Sequence, residues 1–201
     1  MTSRNPTAIL AMAAVLCGCV VGSSTKTSFY ALSAEPAQVR DAAAPVAGAD
    51  VTSVAVWQVA IPEIADRRHM VVRSSANRVE VSEQHQWAEP LKLGIARVLA
   101  RDLEARLGPG YIVSAGQPVA GAPQLRVFVD FRRFEAVAGQ GVTVEALWSV
   151  RPSRGEPRAG RSLAAEQAAT GDYAGIAAAY SRALARVAQD MAASVTAARA
   201  N

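Results

Sequence analysis

Two cysteines, two histidines and a few short-range acidic pairs are the residues of this chain whose types could do chemistry. Cys17 and Cys19 are separated by one residue; a disulfide across that spacing is strained, and no third cysteine exists to pair with either. His69 and His85 stand beside arginine or glutamine in segments that read as surface. No carboxylates cluster with them at metal-ligand spacing, so solvated histidine is the better reading and no metal is expected. There is no Gly-x-Ser-x-Gly elbow and no glycine-rich phosphate loop closed by lysine. Ser23 and Ser24, like Ser74 and Ser75, have no base nearby. Glu63 with Asp66, and Glu80 with Glu83, are acidic pairs of the kind usually exposed, and nothing marks either as an acid/base couple. The chain therefore reads as a non-enzyme without a cofactor.

The chemistry that remains is acylation of a thiol. Arg4 supplies a short positive segment, and residues 7–16 are almost wholly small or apolar. That is signal-peptide length, well short of the ~20 residues a permanent membrane helix needs. The stretch closes Leu16-Cys17-Gly18-Cys19, a branched apolar residue three before a cysteine with small residues between. This resembles a lipoprotein signal: residues 1–18 would be cleaved and Cys19 would take the diacylglycerol and palmitate-type acyl chains. The alternatives are an ordinary secretory signal with incidental cysteines, or a Cys17/Cys19 redox pair. Residues 19–26 then form the lipidated cysteine and a short tether. The seven residues after Cys19 reach at most ~25 Å, so the domain would sit against its membrane. Val20, where an aspartate would retain the protein at the inner membrane under enteric-type sorting, favours the periplasmic face of the outer membrane.

Cleavage would leave 183 of the 201 residues, enough for one domain with a proper core over residues 27–201. The full chain carries +4, and loss of Arg4 would leave +3. Lys26 and Lys92 are its only lysines. No basic run or aromatic-interleaved patch stands out, so nucleic-acid binding has little support.

The elements that must position any site read as follows. Residues 27–32 make a short first strand, and residues 33–50, rich in Ala and Pro, a loop. Residues 51–61 are nearly all apolar up to Pro62, which fits a strand buried on both faces. Residues 70–73 and 78–81 form a hairpin around residues 74–77. Residues 85–107 carry a helical stripe of Leu91, Ile95, Val98, Leu99, Asp102, Leu103 and Leu107, with Pro90 in the first turn and Gly108 beyond the end. Residues 111–113 are a short strand. Leu125, Val127, Val129 and Phe131, then Val142, Val144, Ala146, Trp148 and Val150, alternate with polar neighbours as a long antiparallel hairpin. Arg132-Arg133 breaks that alternation and predicts a bulge. Residues 161–168 form a weaker strand. Asp172 is placed to cap a last helix over residues 173–198 with the stripe Ala177, Tyr180, Leu184, Val187, Met191, Ser194 and Ala198. The fold class is α+β (or α/β): a mixed, largely antiparallel sheet with two principal helices on one face.

Several blocks together resemble the ABC-type transport auxiliary lipoproteins (PqiC/YmbA-like). They are Phe29-Tyr30-Ala31-Leu32, Val59-Ala60-Ile61-Pro62 running on through Asp66-Arg67-Arg68 to Arg73, and Gln86-Trp87-Ala88-Glu89-Pro90-Leu91. Val129-Asp130-Phe131-Arg132-Arg133, Val144 to Val150 and Tyr180 to Leu184 continue the likeness along nearly the whole mature chain. The Arg67-Arg68-His69 stretch departs from the family's usual pattern. The resemblance implies an outer-membrane component of a transport system made of an ABC ATPase, a permease and a periplasm-spanning MCE-domain protein. Such systems are thought to move lipids or other hydrophobic compounds. This chain would dock the MCE-domain protein, in some arrangements as a homo-oligomer. A structural or envelope-assembly lipoprotein anchoring another periplasmic complex is the alternative. Asp66, Arg67, Arg68 and Arg73 are the candidate partner contacts, though solvation explains them equally well. Trp87, Glu89, Pro90 and Leu91, the helix-start motif, read first as structural, fixing the helix and filling the core.

Overall fold

The computed structural model describes residues 26–35, 51–108, 110–116 and 121–199. Cys19 and its tether, and most of the Ala/Pro stretch, lie outside them. The elements run β1 (Ser28–Tyr30), β2 (Thr52–Ala60), β3 (His69–Ser75), β4 (Arg78–Trp87), α1 (Leu91–Leu107), β5 (Tyr111–Ala115), β6 (Leu125–Val137), β7 (Gly141–Pro152), β8 (Arg158–Glu166) and α2 (Tyr173–Arg199).

The eight strands form one mixed sheet. Its longest ladders, β6–β7 and β7–β8, are antiparallel, while β2 runs parallel to both its neighbours, β5 and β6. One edge of the long β6 is shared: β2 pairs with its first half, and β3 touches its last residue through the single bridge Arg73–Val137. Strands β3, β4 and β1 thus form a small wing attached at the far end of β6. Both helices cover one face. Val54, Val56, Val127, Val129, Val144 and Trp148 point into a single core with Ile95, Leu99, Leu184 and Met191.

Alternation explains the hairpin, and two bulges explain where alternation fails. The register slips between Phe131 and Arg133, as the arginine doublet predicts. The slip lets Phe131 and Phe134, three residues apart, both face the core, edge to face with centroids 5.7 Å apart. A second slip between Val56 and Gln58 throws Trp57 onto the helix-free face. The apolar run over residues 51–61 is buried on both faces only before this slip, at Val54, Ala55 and Val56; beyond it Gln58 is exposed and Trp57 half-buried.

Helix α1 begins six residues later than the pattern suggests, because His85, Gln86 and Trp87 pair with β1 as the end of β4. Tertiary pairing overrides the helical stripe there, and Pro90 takes the N-cap position, forcing Glu89 away from helical backbone. Strand β8 begins earlier than its apolar residues indicate. Asp172 does cap α2: its Oδ1 accepts the Gly175 N–H at 2.8 Å. The hydrogen bond from the Thr170 hydroxyl, followed by that from the Gly175 N–H, holds its carboxyl below the usual range. In the α2 stripe Val195, fully buried, takes the place assigned to half-buried Ser194.

Candidate functional site

Three of the four predicted contact residues, Asp66, Arg67 and Arg68, converge on one corner of the molecule. Pro62 ends β2, and its carbonyl accepts the N–H groups of Ala65 and Asp66, turning the chain back towards β3. The Trp87 N–H donates to the Arg68 carbonyl at 2.8 Å, and Lys92 Nζ lies 2.6 Å from Asp66 Oδ2. A cleft results, lined by Asp66, Arg67, Arg68, Glu89, Pro90 and Leu91. Blocks about twenty residues apart in sequence thus become its two walls.

Within this corner the roles divide. Trp87 and Leu91 are core: 6% and 4% exposed, with Trp87 edge-on to Tyr180 at 6.1 Å. Glu89 binds Arg97, whose Nη2 also donates to the Leu32 carbonyl at 2.9 Å, so the motif ties the segment after β1 to α1. Gly94 suits this approach, since a Cβ there would lie 3.2 Å from Glu89 Oε1 and the carboxylate would have to give way slightly. Arg67 and Arg68 are exposed; Arg68 lies 5.9 Å over the ring of the exposed Phe29. Arg73 stands apart, at the far end of β3, where it bridges Glu135 at 3.1 Å and donates to the Ala76 carbonyl.

A second, narrow crevice lies where β3 and β6 splay apart behind this corner, lined by Met70, Trp87, Leu91, Phe134, Glu135 and Tyr180 among others. Tyr180 stacks on Phe134 at 4.2 Å and is 3% exposed. Burial pushes its phenol far above the ordinary value, and the Glu135 carboxylate adds to the effect, so it stays a neutral hydroxyl. It serves as packing, not as a base.

His85 is not the solvated histidine that its neighbours suggest. Its Nδ1 lies 2.8 Å from the Tyr30 hydroxyl, and its ring stacks on Tyr173 at 3.9 Å, locking β1 to the start of α2. No group of three or more potential metal ligands occurs among the described residues. Among the described residues, Asp102 is the one buried carboxylate with an unpartnered oxygen, Oδ2. Its Oδ1 accepts the Glu35 N–H at 3.0 Å. Burial raises its pKa to about 6, against the opposing Glu35 hydrogen bond and the Arg106 charge.

The corner thus combines a helix start packed into the core with an exposed cationic turn. A sequence profile for the ABC-type transport auxiliary lipoprotein component matches residues 30–192. The chain belongs to this family. As an auxiliary lipoprotein it is a transport component by family rather than a member of an enzyme family. Two crystal structures share the fold of this auxiliary lipoprotein. One, of an uncharacterised protein, superposes with a TM-score of 0.67 at 18% identity, covering 85% of this chain and 99% of that one. The other, a Xanthomonas campestris protein from a domain family of unknown function, gives 0.57 at 21% identity, covering 82% and 92%. No curated protein matches the chain. No helix among the described residues is long and apolar enough to cross a membrane.

Proposed function

We propose that this auxiliary lipoprotein is anchored through Cys19 to the periplasmic face of the outer membrane. There it docks the MCE-domain protein of an ABC-type system that moves lipids or other hydrophobic compounds between membranes. The observation that carries this reading is the family match over residues 30–192, joined to the lipobox-like Leu16 to Cys19 only seven residues before the domain. The exposed Arg67 and Arg68, beside a helix start fixed by Trp87 and Leu91, are the partner contacts of this reading, with Asp66 held beside them by Lys92. Arg73 contributes by holding the wing to β6. Strands β1, β5 and β8 each pair on one edge only, which supports a homo-oligomeric assembly through strand edges.

The test is isolation of the full chain from detergent-extracted membranes with its partners identified by mass spectrometry. An MCE-domain protein is expected, together with the protein's recovery in the outer-membrane fraction. A β-barrel assembly or secretion core in its place would overturn the reading in favour of an envelope-assembly role. For the anchor, Cys19→Ala should abolish palmitate labelling and leave unprocessed precursor; continued labelling would contradict it.

A further inference from the structure

The helix-free face of the sheet holds a charge arrangement that the docking corner does not use. The β6–β7 register places Arg126 directly opposite Arg151. Like charges at opposed positions of an antiparallel pair repel. Arg73, Arg78, Arg132, Arg133 and Arg161, also on strands, each form an ion pair. Arg126 and Arg151 are exposed and face no carboxylate among the described residues. Each instead lies over an aromatic ring, Arg126 Cζ at 4.7 Å from Trp57 and Arg151 Cζ at 4.3 Å from Phe128. A stacked guanidinium keeps its N–H edge free, the edge that takes a carboxylate through two parallel hydrogen bonds. Arg154 in the β7–β8 turn lies at the same end, where Glu156 is the acidic residue of the turn, while Arg158, opposite the buried Val150, belongs to the covered face. A shallow groove lined by Gln58, Phe128, Asp130, Leu147, Ser149 and Arg151 adjoins the pair, its one carboxylate, Asp130, being paired with Arg132.

We propose that this end of the helix-free face docks an extended acidic segment of a protein partner. Its carboxylates meet Arg126 and Arg151, and its apolar side chains lie on Phe128 and Leu147. The inference rests on the docking reading for the position of the membrane. Among the described residues the first element is β1, in the wing attached where β6 ends at Val137. Arg126 lies near the other end of the 13-residue β6, roughly 36 Å away along the strand at ~3.3 Å per residue. The short tether reaches less than that, and with the sheet upright on its anchor the pair lies on the periplasmic side. A second copy brought up about a two-fold axis would set arginine against arginine, which disfavours self-association through this face.

The test uses the full lipidated chain in detergent micelles and a fluorescein-labelled deca-glutamate peptide, read by anisotropy. Binding should weaken with added salt. It should fall about tenfold or more in the double variant Arg126→Ala/Arg151→Ala, while Arg132→Ala/Arg161→Ala stays close to wild type. No binding, or equal binding in the two double variants, overturns the proposal. In liposomes containing brominated phosphatidylglycerol, Trp57 emission should escape quenching, with Trp57→Phe supplying the background of the buried Trp87 and Trp148. Quenching of Trp57 would assign the face to a lipid surface instead. A change of oligomeric state in Arg126→Ala/Arg151→Ala would assign it to a second copy. Peptide binding is independent of which protein co-purifies. Intact peptide binding without an MCE-domain partner therefore sinks the docking reading alone, and the converse sinks this inference alone.

Discussion

The two faces of the sheet solve opposite problems. Beneath the helices the side chains meet one another: Trp148 Nε1 donates to Ser162 Oγ at 3.0 Å, and Phe134 stacks on Tyr180. The charges bordering the helices are also matched, Glu166 being held by both Arg182 and Arg186. On the helix-free face the match is uneven. At the wing end, Arg73, Arg133 and Glu135 neutralise one another. At the other end, Arg126 and Arg151 face each other with only aromatic rings beneath them. Among the described residues, Arg126 and Arg151 are strand arginines set directly opposite each other with no carboxylate paired to either. Stability is concentrated on one face and receptivity on the other.

That contrast can be broken by substitution, and the largest effect belongs to the covered face. Phe134→Ala removes a ring packed between Phe131 and Tyr180 and should cost about 3–5 kcal/mol in urea unfolding. A loss below about 1 kcal/mol would mean that the crevice between β3 and β6 is looser than drawn. Gly160 stands across from Trp148, where an added Cβ would come within 2.3 Å of the indole. Gly160→Ala should therefore destabilise by about 1–3 kcal/mol through overpacking, measured the same way.

Asp102 gives the covered face a pH signature. Its pKa rises from 3.8 to about 6 on folding, so the folded state binds its proton more tightly than the unfolded chain does. The stabilisation is fully present below about pH 4 and is lost as pH rises through about 6. By ~1.4 kcal/mol per unit, it amounts to at most about 3 kcal/mol. Asp102→Asn should flatten that part of the stability profile between pH 4 and 7. An unchanged slope would show that another group titrates.

The helix-free face should respond less. Glu135→Gln leaves Arg73 and Arg133 facing each other without their carboxylate and should cost about 1 kcal/mol. Arg126→Ala, by contrast, should change stability by no more than about 0.5 kcal/mol, with relief of repulsion offsetting the lost stack. A loss above about 2 kcal/mol there would make the pair a structural device and erase the contrast.

How much of this was legible beforehand varied with how local its cause was. Strict alternation over β6 and β7, the arginine-doublet bulge and the Asp172 cap depend on neighbours in sequence, and the structure carries them as expected. The start of α1 was misread because the strand state of His85 and Gln86 is decided by β1, more than fifty residues earlier. Trp57 departs from burial on both faces because a bulge turns it outward, while Ala55 just before it is fully buried. The corner joining Asp66 to Lys92 needs the 61–68 turn to fold onto the helix start, which no spacing rule shows. The arginine pair was within reach but missed. Without the bulge between Phe131 and Arg133, counting back from the hairpin turn sets Arg126 against Pro152; with it, Arg126 meets Arg151. A one-residue slip decides which side chains share a site.

The central contrast is tested most directly by placing a photo-cross-linking residue at Ser149, beside the two stacks, in the full lipidated chain in its own membrane. The account predicts an adduct with the MCE-domain protein that disappears when Arg126 and Arg151 are both alanine. An adduct with phospholipid, or capture of that protein from position 67 but never from position 149, would contradict it.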